Sequence, residues 1–296
     1  MKLTDAGLET VLVFEERFDL PHFAAFPLVD SEDGRAALRR YYGPFLELAR
    51  DREVPLILSA PTWRANTDWG RLLGYEGDDL ASVNRRAVEF LEGMAADYDE
   101  VVVEGSVGPR SDAYNPAFLM DADEAERYHA AQLRTLADAG CAQATALTLA
   151  YPDEGVGIAR AATAAGIPIV VGFTVETDGR LPSGDSIEDA ILAVDNATDG
   201  AAEFFVINCA HPTHFADALP EGDSRRRLRG LRANASRLSH AELDEAEELD
   251  SGNPDDLAQR YVALRSELPN LEVVGGCCGT DIRHVTAICD AWLAAG

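Results

Sequence analysis

Two adjacent cysteines, Cys277 and Cys278, stand between glycines in the segment GGCCGT at residues 275–280. The segment follows the apolar run 271–274 and precedes an amphipathic pattern typical of a helix, so a strand ends here and a helix begins. Successive side chains of a strand point to opposite faces, and adjacent cysteines can therefore turn toward one point only beyond the strand. Glycine on both sides lets the backbone approach a ligand closely.

A third thiol, Cys209, ends the apolar run 204–208. A lone free cysteine is most often a small buried hydrophobe, and on its own Cys209 would favour that role. Three thiolates from two strand ends instead match a zinc site that keeps one position open for a substrate. Two alternatives remain for Cys277 and Cys278: a vicinal disulfide, or a dithiol that oxidises reversibly without metal.

Apolar runs of strand length recur eight times, each followed by a loop or a helix-length segment. They cover residues 2–7, 55–62, 100–107, 144–150, 167–174, 203–209, 228–234 and 271–278. Amphipathic helix patterns between them include 38–46, 80–94, 123–139, 154–165, 186–197 and 255–268. Strands that alternate with helices indicate βαβ units and a parallel sheet. The pattern predicts an α/β fold, a single (β/α)8 TIM barrel whose one domain spans residues 1–296.

The functional residues of such a barrel lie at the C-terminal ends of its strands. The polar and thiol residues predicted there are Asp5, Glu104, Ser106, Thr148, Glu176, Asn208, Cys209, Asn234, Cys277 and Cys278. Loop solvation or helix capping explains an isolated Asp or Asn at such a place equally well. Neither solvation nor capping explains a cysteine at a strand end. Because strands six and eight are separated by one strand, their thiols can converge across the barrel mouth.

The charge balance is strongly acidic: 52 acidic residues oppose 25 basic ones, the net charge is −27, and Lys2 is the only lysine. Self-repulsion of that size is screened at about 1 M salt, where the Debye length is about 3 Å. The composition predicts a halophilic protein and argues against nucleic acid and anionic membranes as partners. Five cysteines without disulfide-scaffold spacing, no signal-peptide pattern and no apolar run of transmembrane length predict a reduced, cytoplasmic protein.

These motifs together resemble those of the homocysteine S-methyltransferase family. The resemblance spans the whole chain and rests on GGCCGT at 275–280, Asn208-Cys209, DAGLET at 5–10, GSVGP at 105–109 and Ser183-Gly184. It implies a zinc-dependent barrel that moves a methyl group to a thiol, with Cys209, Cys277 and Cys278 as Zn²⁺ ligands. It also implies that Asp5 helps to hold an amino-acid acceptor.

The resemblance implies small-molecule partners: a thiol acceptor, with homocysteine giving methionine in methionine biosynthesis, and a methyl donor. The sequence shows no corrinoid or folate domain, which favours a free sulfonium donor such as S-adenosylmethionine or S-methylmethionine. The alternatives are a methyltransferase for another thiol and a zinc-binding or thiol-binding barrel without catalysis.

Three positions depart from the family's pattern. Ala6 replaces the first glycine of Asp-Gly-Gly, and SAPTW at residues 59–63 replaces Thr-x-Thr-Tyr. Leu147-Thr148 stands where the family has Glu-Thr, whose glutamate contacts the acceptor's amine. A buried ammonium left without that partner costs about 1–3 kcal/mol.

Two explanations fit the missing carboxylate at position 147. Either Glu104, Asp5 or Glu176 supplies the negative charge from another strand, or the true acceptor has a different head group. Asp5 and Glu104 are therefore the candidate catalytic residues.

Further candidates lie near the strand ends. Aromatic residues that could contact a cationic donor, or merely pack at the rim, are Trp63, Tyr114 and Phe173. We expect His211 and His214 to shape a loop rather than to bind metal. Cys141 and Cys289 fall in helical segments and are expected in the core. Arg180 lies in a charged turn, where it is either solvated or within reach of an acceptor carboxylate.

The acidic composition generates a prediction about salt. Raising KCl from low to multimolar concentration should raise the melting temperature, because ions screen the repulsion among the excess carboxylates. Thermal melts followed by circular dichroism over a KCl series measure the effect. A melting temperature that stays flat or falls with KCl would contradict the halophilic interpretation.

Overall fold

Eight parallel strands close into one barrel in chain order in the computed structural model, which describes residues 1–114, 119–246 and 248–296. The strands are β1 (Lys2–Thr4), β2 (Leu56–Ala60), β3 (Val101–Val107), β4 (Gln143–Leu149), β5 (Ile169–Phe173), β6 (Ala202–Asn208), β7 (Leu228–Ala233) and β8 (Val273–Gly276). The last strand closes on the first, with Lys2 beside Val273 and Leu3 beside Val274. The predicted (β/α)8 barrel is confirmed, including its short and polar seventh strand.

Helices pack around the barrel and connect its strands. Those of the described residues are α1 (Leu8–Thr10), α2 (Glu32–Arg52), α3 (Thr67–Leu72), α4 (Gly77–Ala95), α5 (Ala122–Asp138), α6 (Pro152–Ala165), α7 (Ile187–Thr198), α8 (Pro212–Phe215), α9 (Gly222–Arg227), α10 (His240–Asp244), α11 (Pro254–Glu267) and α12 (Ile282–Ala294). The helix patterns found in the sequence correspond to α2, α4, α5, α6, α7 and α11. Among the described residues, no helix is long and apolar enough to cross a membrane.

Side-chain caps fix where several helices begin. Asn66, Asp121, Ser186 and Asn253 accept backbone N–H bonds at the starts of α3, α5, α7 and α11. Each such cap stabilises its helix by about 1 kcal/mol. The face of α12 turned to the barrel contains Val285, Ile288, Cys289 and Trp292. Cys289 is therefore a core residue, as predicted, and Cys141 is buried in the same core.

The barrel interior has two layers of opposite character. Toward the N-terminal ends of the strands lies a small apolar cluster, separate from the main core between strands and helices: Ile57, Val170, Phe204, Val206 and Val273. Inward-facing side chains recur at every second residue of a strand. One step closer to the C-terminal ends, the inward positions are polar and buried: Ser59, Glu104, Thr145, Asn208 and Arg232. The chain thus places charge and hydrogen-bonding groups directly beneath the barrel mouth.

A buried tyrosine of α11 fastens β7 to β8 near that mouth. The hydroxyl of Tyr261 accepts the backbone N–H of Ala233 at 2.8 Å and donates to the carbonyl of Gly275 at 2.6 Å. Both backbone groups are buried, so neither has water as a substitute partner. This contact holds the ends of the two strands in register just before the cysteines of residues 277–278.

Removing the Tyr261 hydroxyl should destabilise the fold. We expect Tyr261→Phe to lower the free energy of unfolding by about 1–3 kcal/mol, because a buried N–H and a buried carbonyl lose their partner. Denaturant unfolding in constant high salt measures the change. The control is Tyr75→Phe, whose hydroxyl donates to Asp30 in an exposed position and should cost less. Equal losses in the two variants would contradict this role of Tyr261.

Candidate active site

Three thiols meet at the C-terminal rim of the barrel. Cys209 follows β6, Cys277 and Cys278 follow β8, and their Sγ atoms all lie within 4.8 Å of one another. Sulfurs on a tetrahedral zinc, at Zn–S distances of about 2.3 Å, lie about 3.8 Å apart. The cluster is thus of the right size and chemistry to hold such an ion. All five cysteines are free thiols, so the vicinal disulfide considered for residues 277 and 278 is not present.

The backbone around the thiols is tightly constrained. Strand β8 ends at Gly276, so Cys277 and Cys278 lie beyond the alternation of the strand, as the sequence predicts. A Cβ atom on Gly275 would stand 1.9 Å from Oγ1 of Thr4, which explains the glycine there. Cys209 has a φ of 55°, a left-handed conformation that is uncommon for a residue other than glycine. This turn directs its sulfur across the mouth toward the other two.

Neutral donors surround the sulfurs. The hydroxyl of Tyr114 donates to Sγ of Cys209 at 2.9 Å, and Nδ2 of Asn234 lies 3.8 Å from the same sulfur. Nδ2 of Asn208 lies 3.9 Å from Sγ of Cys277. The sequence predicted Asn208 and Asn234 at the rim, and the structure brings both to the thiols. Such donors stabilise negative charge on sulfur and orient it.

Asn208 is itself fixed by a residue of β4. Its Oδ1 accepts the backbone N–H of Thr148 at 2.8 Å, and its Nδ2 donates to Oγ1 of Thr148 at 2.8 Å. Thr148 has a φ of 65°, a second left-handed residue at the rim. Thr148 therefore orients Asn208, which in turn faces the sulfur of Cys277.

The three thiols share negative charge unequally. Hydrogen bonds from the thiols of Cys277 and Cys278 hold the pKa of Cys209 well below its usual range. The bond to Cys209 raises the pKa of Cys277 to about 12, and the pKa of Cys278 is raised for the same reason. The three thiols therefore titrate as a coupled group, in which ionisation of Cys209 opposes ionisation of the other two. Full ionisation of all three sulfurs requires a positive charge between them.

A buried arginine, Arg232 of β7, organises the layer beneath the thiols. Its guanidinium donates to Oδ1 of Asp5 at 2.8 Å and to the Ser59 hydroxyl at 2.7 Å, and lies 3.7 Å from Oε1 of Glu104. It also donates to the carbonyl of Gly276 at 3.2 Å. Burial opposes its charge, but Asp5 and Glu104 outweigh burial, and the pKa of Arg232 is raised. Burial also raises the pKa of Asp5, with Arg232 opposing.

The two candidate catalytic carboxylates occupy different levels. Asp5 lines a cavity beside the thiols. Glu104 lies one inward position below Ser106, which lines the cavity while Glu104 does not. The Glu104 carboxylate accepts from Ser59 at 2.8 Å, from Gln143 at 2.7 Å and from the Thr145 hydroxyl. The third carboxylate considered, Glu176, lies 3.2 Å from Nδ1 of His240.

Two cavities adjoin the thiols. The smaller one, of about 70 Å³, is lined by Asp5, Ala6, Gly7, Leu8, Glu9, Phe23, Ser59, Ala60, Pro61, Trp63, Ser106, Tyr114, Leu147, Thr148, Cys209, Arg232, Cys277 and Cys278. The larger one, of about 390 Å³, shares Phe23, Trp63, Tyr114 and Cys278 with it. Acidic residues of the larger cavity are Asp112, Glu248 and Asp250. The thiols thus lie where a small cavity with both polar and apolar walls meets a wider one.

The remaining sequence candidates separate into rim and core. Trp63 and Tyr114 line both cavities, whereas Phe173 was wrongly assigned to the rim and packs in the core, stacked on Phe205. His211 caps α8 and His214 contacts the carbonyl of Arg237, so both shape the loop as expected. The Arg180 guanidinium donates to the carbonyl of Gly184 within its own exposed turn.

Three residues of the site escaped the sequence analysis. Arg232 has a signal in the sequence, because it lies two residues before Asn234, and residues two apart in a strand share a face. His240, which contacts the carbonyl of Cys209 at 3.0 Å and stacks on Tyr114, follows a loop without periodicity. Glu9 belongs to the short α1, which the sequence did not predict.

The fold and the site define the chain as a (β/α)8 barrel with a cysteine cluster at its C-terminal rim. A family model described as homocysteine S-methyltransferase matches residues 3–292. The chain belongs to the homocysteine S-methyltransferase family, as its motifs predict. It is a methyltransferase that acts on a thiol.

Solved structures share the fold across the whole barrel. The homocysteine methyltransferase MmuM from Escherichia coli, in its metallated form, is 18% identical with a TM-score of 0.73, covering 98% of this chain and 96% of that one. The oxidised form is 19% identical with a TM-score of 0.74 and coverage of 97% and 94%. The apo form is 18% identical with a TM-score of 0.66 and coverage of 98% and 95%. No curated protein sequence matches the chain.

The cysteine cluster predicts one metal ion per chain. Cys209→Ser, Cys277→Ser and Cys278→Ser should each lose the ion, because two sulfurs and a hydroxyl are a poor substitute for three thiolates. Elemental analysis of protein purified under reducing conditions gives the stoichiometry. Cys141→Ser and Cys289→Ala are the controls and should keep the ion. Full occupancy in Cys277→Ser would contradict the assignment.

Proposed function

We propose that the chain is a zinc-dependent S-methyltransferase that moves a methyl group from a small sulfonium donor to homocysteine, giving methionine. S-adenosylmethionine and S-methylmethionine are the donors of that class. The observation that carries the proposal is the convergence of the Cys209, Cys277 and Cys278 sulfurs beside a small cavity that is also lined by Asp5. Membership of the family supports the same chemistry.

The chemistry requires a thiolate. A thiol is a weak nucleophile at neutral pH, and the acceptor must lose its proton before it attacks carbon. A zinc ion held by the three cysteines would supply the positive charge that stabilises the acceptor sulfur as a thiolate. Tyr114, Asn208 and Asn234 donate toward the cysteine sulfurs and keep them oriented.

The two cavities provide for two substrates. The acceptor occupies the small cavity, with its sulfur toward the cysteines, and the donor occupies the wider one. The acceptor sulfur forms a bond to the methyl carbon while the donor's S–CH₃ bond breaks, and that electron pair returns to the donor sulfur as a neutral thioether. Alignment of the three reacting atoms is the main contribution of the walls.

The donor's positive charge has suitable surroundings in the wider cavity. Asp112, Glu248 and Asp250 contribute negative charge, and the rings of Trp63 and Tyr114 offer faces to a sulfonium. The charge disappears from the donor during transfer, so product release is favoured once the thioether has formed.

Asp5 and Glu104 have separate roles in this proposal. Asp5 lines the small cavity and contacts the acceptor. Glu104 is a positioning residue, because its carboxylate holds Ser59 and faces Arg232 from below. The strongly acidic surface fits small-molecule partners rather than nucleic acid, and we propose a reduced, salt-rich cytoplasm as the working compartment.

A different thiol acceptor is the second candidate. It is favoured by Leu147, which presents an apolar side chain to the small cavity where the family places a carboxylate. An acceptor without an amine would meet no penalty at that wall.

Methyl transfer can be tested directly. Zinc-loaded protein in multimolar KCl should transfer labelled methyl from S-adenosylmethionine or S-methylmethionine to homocysteine, measured as labelled methionine. Cys209→Ser should abolish transfer, and Cys289→Ala should retain it. A zinc-loaded protein that methylates none of a panel of thiols with either donor would refute the proposed activity.

A further inference from the structure

Glu9 is a carboxylate of the small cavity whose position is set by its neighbours. It lies in α1, between the buried residues Leu8 and Thr10. Oγ1 of Thr10 donates to the carbonyl of Gly7 at 2.9 Å and accepts the backbone N–H of Gly279 at 3.2 Å. These bonds fasten α1 to the cysteine segment after β8. The Glu9 side chain is thereby held on the cavity wall beside Asp5 and Cys277.

The other carboxylates near the site already have partners. Asp5 accepts from Arg232 at 2.8 Å and from the Tyr41 hydroxyl at 3.2 Å. Glu104 accepts from three polar side chains beneath the cavity. Glu176 lies 3.2 Å from Nδ1 of His240 and does not line the small cavity.

Glu9 differs from these carboxylates. Its own backbone N–H donates to the carboxylate, and no other described residue makes a hydrogen bond or an ion pair with this side chain. Arg64 is a nearby cation, but its guanidinium lies between the rings of Trp63 and Trp69 and donates to the carbonyl of Ser111. A partly buried carboxylate without a partner costs free energy, which a bound cation would recover.

The electrostatics of Glu9 support the same point. Burial raises the pKa of Glu9 to about 7, and the hydrogen bond from its own backbone N–H and the nearby charge of Arg64 oppose the rise. A cationic group beside this carboxylate would reverse the shift, because an opposite charge favours the ionised form.

The size and walls of the cavity define what that cation can be. The cavity is small, at about 70 Å³, which favours a short thiol amino acid over a ligand as large as a nucleoside. Leu147 makes the wall at β4 apolar, so it offers no partner to an ammonium. The Glu9 carboxylate, on the wall at β1, offers an ammonium such a partner.

We propose that Glu9 binds the ammonium group of an amino-acid thiol acceptor and so determines that the acceptor carries an amine. The inference rests on the proposed thiol methyl transfer. Glu9 supplies from the loop after β1 the negative charge that β4 lacks at Leu147. It contacts the acceptor's head group, and the acceptor's sulfur points to the cysteines.

The test compares two thiols that differ only in the amine: homocysteine and 4-sulfanylbutanoic acid. Wild-type protein should prefer homocysteine. Glu9→Gln, of equal size but neutral, should lower kcat/KM for homocysteine by about tenfold to a hundredfold, mainly through KM, because a charged hydrogen bond is lost. The same variant should leave kcat/KM for 4-sulfanylbutanoic acid unchanged. Glu9→Asp, which keeps the charge, should restore part of the preference.

Two further measurements make the outcome decisive. Calorimetric titration of each thiol into zinc-loaded protein should show the same preference in Kd, and it applies even if no methyl transfer occurs with any donor. The matched control is Glu15→Gln, because Glu15 is an exposed glutamate a few residues further along the chain. This variant should change neither kcat/KM nor Kd for either thiol. Two outcomes would overturn the inference. One is that Glu9→Gln weakens the use and binding of both thiols equally. The other is that the wild-type protein uses and binds the two thiols equally well.

Discussion

The buried guanidinium of Arg232 is the constraint on which the mouth of the barrel depends. A charge taken out of water must be paired, and its removal would leave two carboxylates facing each other in the interior. Through Arg232, the seventh strand contacts the first, second, third and eighth strands. The same group engages Asp5 directly and faces Glu104, so both carboxylates share one positive charge. Glu9 lies outside this network, which is why we propose it for the recognition of a cation.

Groups that can bind a positive charge lie at three separate places in the site. At the sulfurs, three coupled thiols are surrounded by neutral donors from Tyr114 and two asparagines. On the β1 wall, the Glu9 carboxylate has no partner among the other described residues. In the wider cavity, acidic and aromatic side chains adjoin Cys278. In the mechanism that we propose, a metal ion, an ammonium and a sulfonium would each occupy one of these three places, so that two small substrates are arranged around one cluster.

The architecture and the thiol cluster could be predicted from the sequence, because strand length, helix period and the position of each strand's end are local properties. The convergence of Cys209 with Cys277 and Cys278 follows once β6 and β8 are placed one strand apart. Phe173 was assigned to the rim because the facing of β5 was not considered: Gly172 faces inward, so Phe173 faces the helices. Glu9 could not be identified as a site residue from the sequence, since α1 is a single turn without a periodic pattern. The cavity wall that Glu9 lines also forms only when β8 pairs with β1.

The closure of the last strand on the first has a consequence for biosynthesis. Asp5 and Arg232 are 227 residues apart in the chain, and the cysteine segment follows only after β8. A growing polypeptide on the ribosome therefore contains Asp5 and Glu9 long before it contains Arg232 and the cysteines that they adjoin in the folded barrel. Domains rich in such distant contacts fold slowly, and the emerging chain must keep its early apolar strands from aggregating until the final one arrives.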